Sequence, residues 1–422
     1  MSTGVSITIP LDIPEVRIIS VGQTKLGEYL ITVESTRSTA VCHRCGCVLT
    51  KSFGHGTARR LRHLPILGCP VYVEIRPLRF RCPHCPGQPT TTQQLEWYHP
   101  EALHTKAYER HLILTLVKCT ITDVVAKEDV SYDALLGMLD RWVATEVDWG
   151  QVGPFQVLGI DEIALTKGHR NFVAVITAQT DYGLQLLAIL PDRCKATIVA
   201  WLRTLPDTRR AAITTVCTDM WDGYTNAVRE VLPHATIVID RFHVARQYRH
   251  AVDTIRKAEV RRLRQELPEA ERDQLKGAIW LVRRKPDDLD ADDRQQLTWL
   301  LAQSVALTQA STLQQELTQI FETARSKADG LRRIGFWRIR VMKSGLACFD
   351  PFLKLLDTWL DLIANYFIDH QTSGFVEGFN NKLKVLKRRC YGMRNIGRLF
   401  QRLTLDLSGY RWFSPWHTIG HH

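Results

Sequence analysis

The sequence predicts an α/β protein in which a mixed five-stranded sheet carries a long helical insertion. A cysteine-punctuated strand module and a short helical region precede it. Three observations predict this. Two Cys-x-x-Cys pairs bracket strand-like segments before residue 95, three strand patterns followed by alternating helix and strand run from Phe155 to Ile239, and strand signals vanish from Ala245 to about Asp369.

Residues 1–95 read as a strand-rich module. Val71-Tyr-Val-Glu-Ile-Arg76 alternates apolar and polar residues, as a half-buried strand requires, and the parity flips after Pro77, which predicts a bulge or an edge. Residues 96–150 read as helical. Thr105 is placed to cap a helix carrying Tyr108, Leu112 and Leu116, Thr122 to cap a short helix with Val124 and Val125, and Ser131 to cap a third with Leu135, Met138, Leu139 and Trp142 inward. Two short helices across a tight turn suit a helix-turn-helix. In residues 151–244, strands are expected at Phe155–Ile160, Asn171–Ala178 and Leu184–Leu190. Helix Lys195–Thr204, strand Ala212–Thr218, helix Asp222–Val231 and strand Ala235–Ile239 follow. An antiparallel half followed by a parallel half is the order expected of a ribonuclease-H-like domain. Residues 245–370 are too long for a connection and read as an inserted helical domain, with residues 371–422 returning to the sheet domain.

The 422 residues carry a net charge of +11, which suits a polyanionic partner, and their 45% apolar content is that of a globular protein. No apolar run approaches the ~20 residues of a spanning helix, and Met1–Ile13 lacks a cationic stretch before an apolar one. Nucleic acid is therefore preferred over a membrane, and the cytoplasm is the expected compartment. The eleven cysteines do not form a disulfide-like framework.

Cys42-His-Arg-Cys45 and Cys82-Pro-His-Cys85 bracket 36 residues. Two thiolate pairs on tight turns can close a tetrahedral shell around one structural Zn²⁺, leaving no open position for water. Cys47, His43, His55 and His84 rank below these four as ligands. Phosphate contacts in this module are expected from Arg59, Arg60 and Arg62, with Arg76, Arg79 and Arg81, because the third helix is poor in base-reading groups.

Asp161 ends the first strand of the sheet and Asp219 the fourth. Neighbouring strands would bring both carboxylates to one edge, where convergent acids hold a pair of Mg²⁺ (or Mn²⁺) ions that activate a water or a 3′-hydroxyl. A third acid is read from Thr372-Ser-Gly-Phe-Val-Glu377 through Arg389. At about 100° per residue, Phe375, Phe379, Leu383 and Leu386 fall on one side of a helix, and Glu377, Asn381, Lys384 and Arg388 on the other. Seven Lys or Arg and no acid lie between Gly378 and Arg398. A carboxylate that holds an ion beside cations that meet phosphates, among them Lys387 and Arg389, has this composition.

These residues resemble the ISL-three family of bacterial insertion-sequence transposases. The resemblance is carried by Ser373-Gly-Phe-Val-Glu377-Gly-Phe-Asn-Asn381-Lys-Leu-Lys, Lys387-Arg-Arg389 and Tyr391-Gly-Met-Arg-Asn395. Gly159-Ile-Asp161-Glu, Thr218-Asp219-Met-Trp-Asp-Gly-Tyr224, Asp240-Arg-Phe-His243 and the widely spaced cysteine module occur in the expected order. The family's last motif often has Asn before its Gly, where Ser373 stands here. The resemblance implies that Asp161, Asp219 and Glu377 form an acid triad, with Asp240 and His243 close to the active site. It implies double-stranded DNA, transposon ends and target, as partner, at least two protomers on that DNA, and a bacterial cytoplasmic, nucleoid-associated setting. Two other readings stay open: a non-catalytic DNA-binding protein derived from a transposase, and a structure-specific nuclease. Arg332, Arg333, Arg338, Arg340 and Lys343 of the insertion are candidate phosphate contacts in either case.

Overall fold

A computed structural model describes residues 9–165, 172–284, 288–369, 382–386, 388–389 and 394–414. The chain divides into two compact units, residues 1–144 with 408–422, and residues 145–407.

The first unit begins with strands β1 (Val16–Gln23), β2 (Tyr29–Ser35), β3 (Ala40–Val41), β4 (Val48–Leu49), β5 (Ser52–His55), β6 (Arg59–Ile66), β7 (Cys69–Ile75), β8 (Leu78–Arg81) and β9 (Thr90–Thr92). They form a four-stranded sheet β1-β2-β7-β6, a pair β3-β4 and a three-stranded sheet β5-β8-β9. Val71, Val73 and Ile75 are buried and their neighbours half-buried, the alternation the sequence predicts. The parity change at Pro77 has a larger cause than a bulge. Proline lacks the N–H that would continue the ladder, and after it the chain leaves one sheet and enters another, with Phe80 buried beneath the second.

Helices α1 (Lys106–Leu116), α2 (Ile121–Glu128) and α3 (Tyr132–Trp142) follow. Thr105 caps α1 by accepting from Tyr108 N at 3.2 Å, and Ser131 caps α3 by accepting from Ala134 N at 3.1 Å. Thr120 caps α2 in place of the expected Thr122. It accepts from Asp123 N at 3.0 Å while the Asp123 carboxylate accepts from Thr120 N at 3.3 Å, so both orphan donors are satisfied reciprocally. The α2–α3 turn is made by Asp129 in the left-handed region, φ 50°. Glu109 on α1 is wholly buried and is held by Arg141 Nε at 3.3 Å and Trp142 Nε1 at 2.8 Å, which ties α1 to α3. Arg141, one of the few polar groups of the third helix, is spent inside the helical trio.

The second unit starts with β10 (Phe155–Ala164), β11 (Phe172–Thr180) and β12 (Gly183–Leu190), then α4 (Lys195–Thr204), α5 (Asp207–Ala212), β13 (Thr215–Thr218), α6 (Asp222–Val231) and β14 (Thr236–Ile239). The five strands form one mixed sheet in the order β12-β11-β10-β13-β14. Its first three strands are antiparallel neighbours, and β10-β13-β14 run parallel. Helix α5 replaces the start of the strand expected from Ala212, because Pro206 opens a short helical turn there.

From Arg241 the chain is helical: α7 (Arg241–Glu266), α8 (Glu269–Arg272), α9 (Ala278–Arg283), α10 (Ala291–Ala302), α11 (Val305–Thr323), α12 (Lys327–Ser344), α13 (Asp350–Ala364) and α14 (Tyr366–Asp369). Their shared core includes Tyr248, Leu307, Leu317, Phe321, Trp337, Phe352 and Phe367, and is continuous with Val238 and Ile239 of β14. Residues 382–386 are helical, and α15 (Ile396–Phe413) follows. Leu383 and Leu386 with Leu399, Phe400 and Leu403 pack on Val173, Val175, Leu186 and Ile189 of the antiparallel half of the sheet.

Candidate active site and metal centre

Parallel strands in register deliver side chains abreast. Ile160 of β10 stands against Thr218 of β13, and Thr218 against Ile239 of β14. The residue that follows each of these is an aspartate. Asp161 does not end its strand as expected, because pairing with β11 carries β10 on to Ala164, whereas Asp219 and Asp240 come directly after β13 and β14. The three stand side by side on adjacent chain segments, each spaced ~4.8 Å from the next. The hydrogen bond from Asp240 N to Thr218 O at 2.9 Å extends the ladder to that row.

Asp161 and Asp240 are buried, and Asp219 nearly so. One ligand atom each from Asp161, Asp219 and His243 lies within 4.8 Å of the others. His243 sits on the first turn of α7 with Nε2 3.1 Å from Asp219 Oδ1 and 3.9 Å from Asp240 Oδ2. Asp240 caps that helix by accepting from Phe242 N at 2.7 Å, which sets the direction in which the first turn presents His243. Asp161 Oδ1 accepts from Glu162 N at 2.6 Å.

Burial, with the Asp161, Asp240 and Glu162 carboxylates, pushes the Asp219 carboxyl up to about 9. Burial holds the His243 imidazole below its usual value against the pull of Asp161, and the positive charges of Arg246 and Lys384 act in the same direction as burial. Crowded carboxylates with too little positive charge among them form a donor set that fits hard divalent cations.

Beyond the acids, Glu162 accepts from Arg193 Nη1 at 2.7 and 3.0 Å. The Arg193 guanidinium lies 4.6 Å from the Phe172 ring centroid and 4.2 Å from that of Trp221. Tyr224 is wholly buried, and its hydroxyl has no partner among the described residues. None of these five received a role from the sequence. Glu162, Trp221 and Tyr224 belong to the quoted motifs, while Arg193 left no local signal because its partners are distant in the chain.

Glu377 and Asn381 lie outside the described residues, as does Lys387. Downstream, Leu383 and Leu386 are buried while Lys384 and Arg388 are exposed, which is the two-sided pattern of the helix reading. Arg389 pairs with Asp406 at 3.1 Å. In the insertion, Arg332 pairs with Asp329 at 2.7 Å, Arg340 with Glu316 at 2.8 Å and Arg338 with Asp357, while Arg333 donates to Thr323 at 2.8 Å. Lys343 is exposed.

In the first unit, Cys42, Cys45, Cys82 and Cys85 come together, with Cys42 Sγ 3.9 Å from Cys85 Sγ and Cys45 Sγ 3.6 Å from Cys82 Sγ. A tetrahedral zinc with ~2.3 Å bonds has sulfur–sulfur edges of about 3.8 Å. Each pair rides a tight turn: Gly46, at φ 71°, donates to Cys42 O at 3.0 Å, and Gln88 donates to Cys85 O at 3.0 Å. The Cys45 and Arg44 backbone amides bring the Cys42 thiol down to about 6, while the Cys45 sulfur and burial push Cys85 up to about 12. Cys85 resists ionising beside Cys42 without a cation between them, and the set of four sulfurs fits structural zinc. Cys47, His43, His55 and His84 are not in the cluster, and His43 Nδ1 is instead 2.9 Å from Thr91 Oγ1.

Three nearby arginines are engaged within their unit. Arg59 donates to Pro100 O, Arg60 pairs with Glu28 at 2.8 Å over the Tyr72 ring, and Arg62 donates to Asp129 O at 3.0 Å over the Tyr108 ring.

The family model for ISL-three transposases, described as "Transposase", matches residues 158–403. The chain is 28% identical over 384 residues to the transposase for insertion sequence element IS1001 of Bordetella parapertussis, covering 90% of this chain and 91% of that protein. It is 25% identical over 398 residues to the transposase for insertion sequence element IS1557 of Mycobacterium tuberculosis, covering 88% and 87%. The matched span contains Asp161 and Asp219, their partner His243 and the helical insertion, and the chain belongs to the ISL-three family of transposases.

Proposed function

We propose that this transposase binds the terminal inverted repeats of its own insertion sequence and catalyses metal-dependent strand cleavage and strand transfer, with Asp161, Asp219 and Glu377 as the acid triad. The observation that carries the reading is the register that sets Asp161 and Asp219 side by side, buried, with His243 against Asp219. The strand order, antiparallel then parallel, supports a ribonuclease-H-like catalytic domain.

Glu377 enters by helical periodicity. Lys384 is exposed and its charge is felt at His243. In the helix that the sequence predicts, seven residues make about two turns, which would put Glu377 on the same face as Lys384. Bound Mg²⁺ or Mn²⁺, two ions per site, would supply an activated water or 3′-hydroxyl and charge neutralisation at the departing oxygen. Asp161, Asp219 and Glu377 would hold that charge in place. His243 fixes the orientation of the Asp219 carboxylate, and Asp240, through its cap on α7, fixes His243. Lys384 and Arg388 offer exposed cations to the backbone of the same DNA, joined in this reading by Asn381, Lys387 and Arg389. The zinc-binding module and a helix-turn-helix formed by α2 and α3 would hold the transposon end, with Arg59, Arg60 and Arg62 near its phosphates, and at least two protomers would join the two ends.

The test is cleavage of a labelled end in Mg²⁺. Alanine at 161, 219 or 377 should leave end binding intact and lower nicking by roughly 10²–10³-fold or more. Unchanged nicking by Asp161→Ala ends the proposal.

A further inference from the structure

Two large aromatic side chains stand open beside the acid row. Trp221 follows Asp219 by two residues, and Phe242 follows Asp240 by two. Thr218 and Ile239 are partners in adjacent parallel strands, so the two aromatics occupy equivalent places, three residues beyond registered strand ends. Trp221 is 40% exposed and Phe242 38%, although Tyr224 and Val244 a few residues on are wholly buried.

Trp221 is exposed yet fixed. Its Nε1 donates to Arg193 O at 3.3 Å, and the Arg193 guanidinium lies over the indole, held in turn by both oxygens of Glu162. A Cβ on Gly223 would stand 2.6 Å from Nε1, so the indole occupies space that only glycine leaves free. An aromatic face immobilised in this way loses little side-chain entropy when a flat ligand covers it.

We propose that Trp221, seconded by Phe242, is a ledge on which an unpaired nucleobase of the DNA end stacks while the neighbouring phosphate enters the acid pocket. The inference rests on the transposase reading of that pocket. Asp161 is buried and Asp219 nearly so, which draws the reacting phosphate inward. A nucleotide that leaves its stack follows that phosphate more easily, and the lost stacking is recovered on an aromatic side chain. Every base has a π-face, so the ledge accepts any sequence at this position and contributes positioning, not sequence recognition.

The experiment uses the full-length protein and duplex ends with a thymine flanking the cleaved phosphate, read by permanganate oxidation of unpaired thymine and, separately, by nicking in Mg²⁺. In the wild-type complex the flanking thymine should become reactive, and Trp221→Leu should remove that reactivity. The same variant should slow nicking of paired ends by about tenfold or more at unchanged end binding. Trp221→Phe, which keeps a stacking face, should retain most of both signals. A mismatch at the flanking pair should restore part of the nicking lost in Trp221→Leu, because the unpairing is then already done, and Phe242→Leu should deepen the loss on paired ends. Nicking by Trp221→Leu at the wild-type rate overturns the ledge and leaves the triad standing. So does a loss in Trp221→Leu that appears equally as reduced end binding and a lower melting temperature, since that marks a packing role. Trp221-dependent thymine reactivity in a wild-type protein that never nicks sinks the triad and leaves the ledge.

Discussion

The four cysteines of the N-terminal module stand on two turns, each closed by its own backbone hydrogen bonds, whereas the carboxylates of the acid row are delivered by the register of three strands. The cysteine cluster is complete from its own side chains, with sulfur spacings that already match a tetrahedron. The acid row is crowded, with four acidic side chains and one imidazole at one sheet edge, and burial works against the charge of Asp219. A closed soft-ligand site holds a fold together. An open oxygen-rich one stores electrostatic tension that cations and a substrate phosphate can relieve.

Metal removal should separate the two most sharply. Because structural zinc contributes on the order of 10 kcal/mol to small modules, chelation or Cys82→Ser should expose the amides of residues 40–92 to hydrogen exchange while the β10–β14 sheet stays protected. Equal loss of protection in both units would show that the cysteine cluster does not act locally. A smaller effect is expected at His243. His243→Ala removes the group that orients Asp219 and should lower nicking by about 10–100-fold with end binding unchanged, as read from single-turnover cleavage. In chelator at neutral pH, Asp219→Asn should melt several degrees above wild type, because a carboxyl held up at about 9 must take up a proton on folding and the amide does not. Added Mg²⁺ should raise the wild-type melting temperature and not that of the variant. The smallest effect contrasts exposed with paired cations. Lys384→Ala should reduce the salt slope of end binding by about 1, and Arg338→Ala, whose guanidinium is paired with Asp357, should leave it unchanged.

Helices Lys195–Thr204 and Asp222–Val231 were legible to the residue because apolar periodicity and sheet packing agree there. The two Cys-x-x-Cys pairs were legible as short motifs on turns, and the convergence of Asp161 with Asp219 was legible from the strand order, although β10 runs past Asp161 to Ala164, where alternation with β11 continues beyond the expected end. Thr120 and Thr122 are equally good caps by residue type, and the reciprocal bond with Asp123 decided between them. The switch of sheets at Pro77 was visible only as a change of parity, since alternation reports which face a residue takes and not which sheet it joins. The insertion's cations read as a basic patch, but the carboxylates that engage Arg332, Arg338 and Arg340 come from a neighbouring turn or helix. The support of Trp221 by Arg193 and Glu162 is tertiary in the same sense.

The apolar face formed by Val173, Val175, Leu186 and Ile189 is covered by residues from Leu383 onward, about 190 positions later. At ribosomal speeds of ~5–20 residues per second, roughly 10–40 s pass between synthesis of that face and arrival of its cover. During this interval the nascent sheet presents a bare hydrophobic surface, a target for chaperones and for misassociation on crowded polysomes.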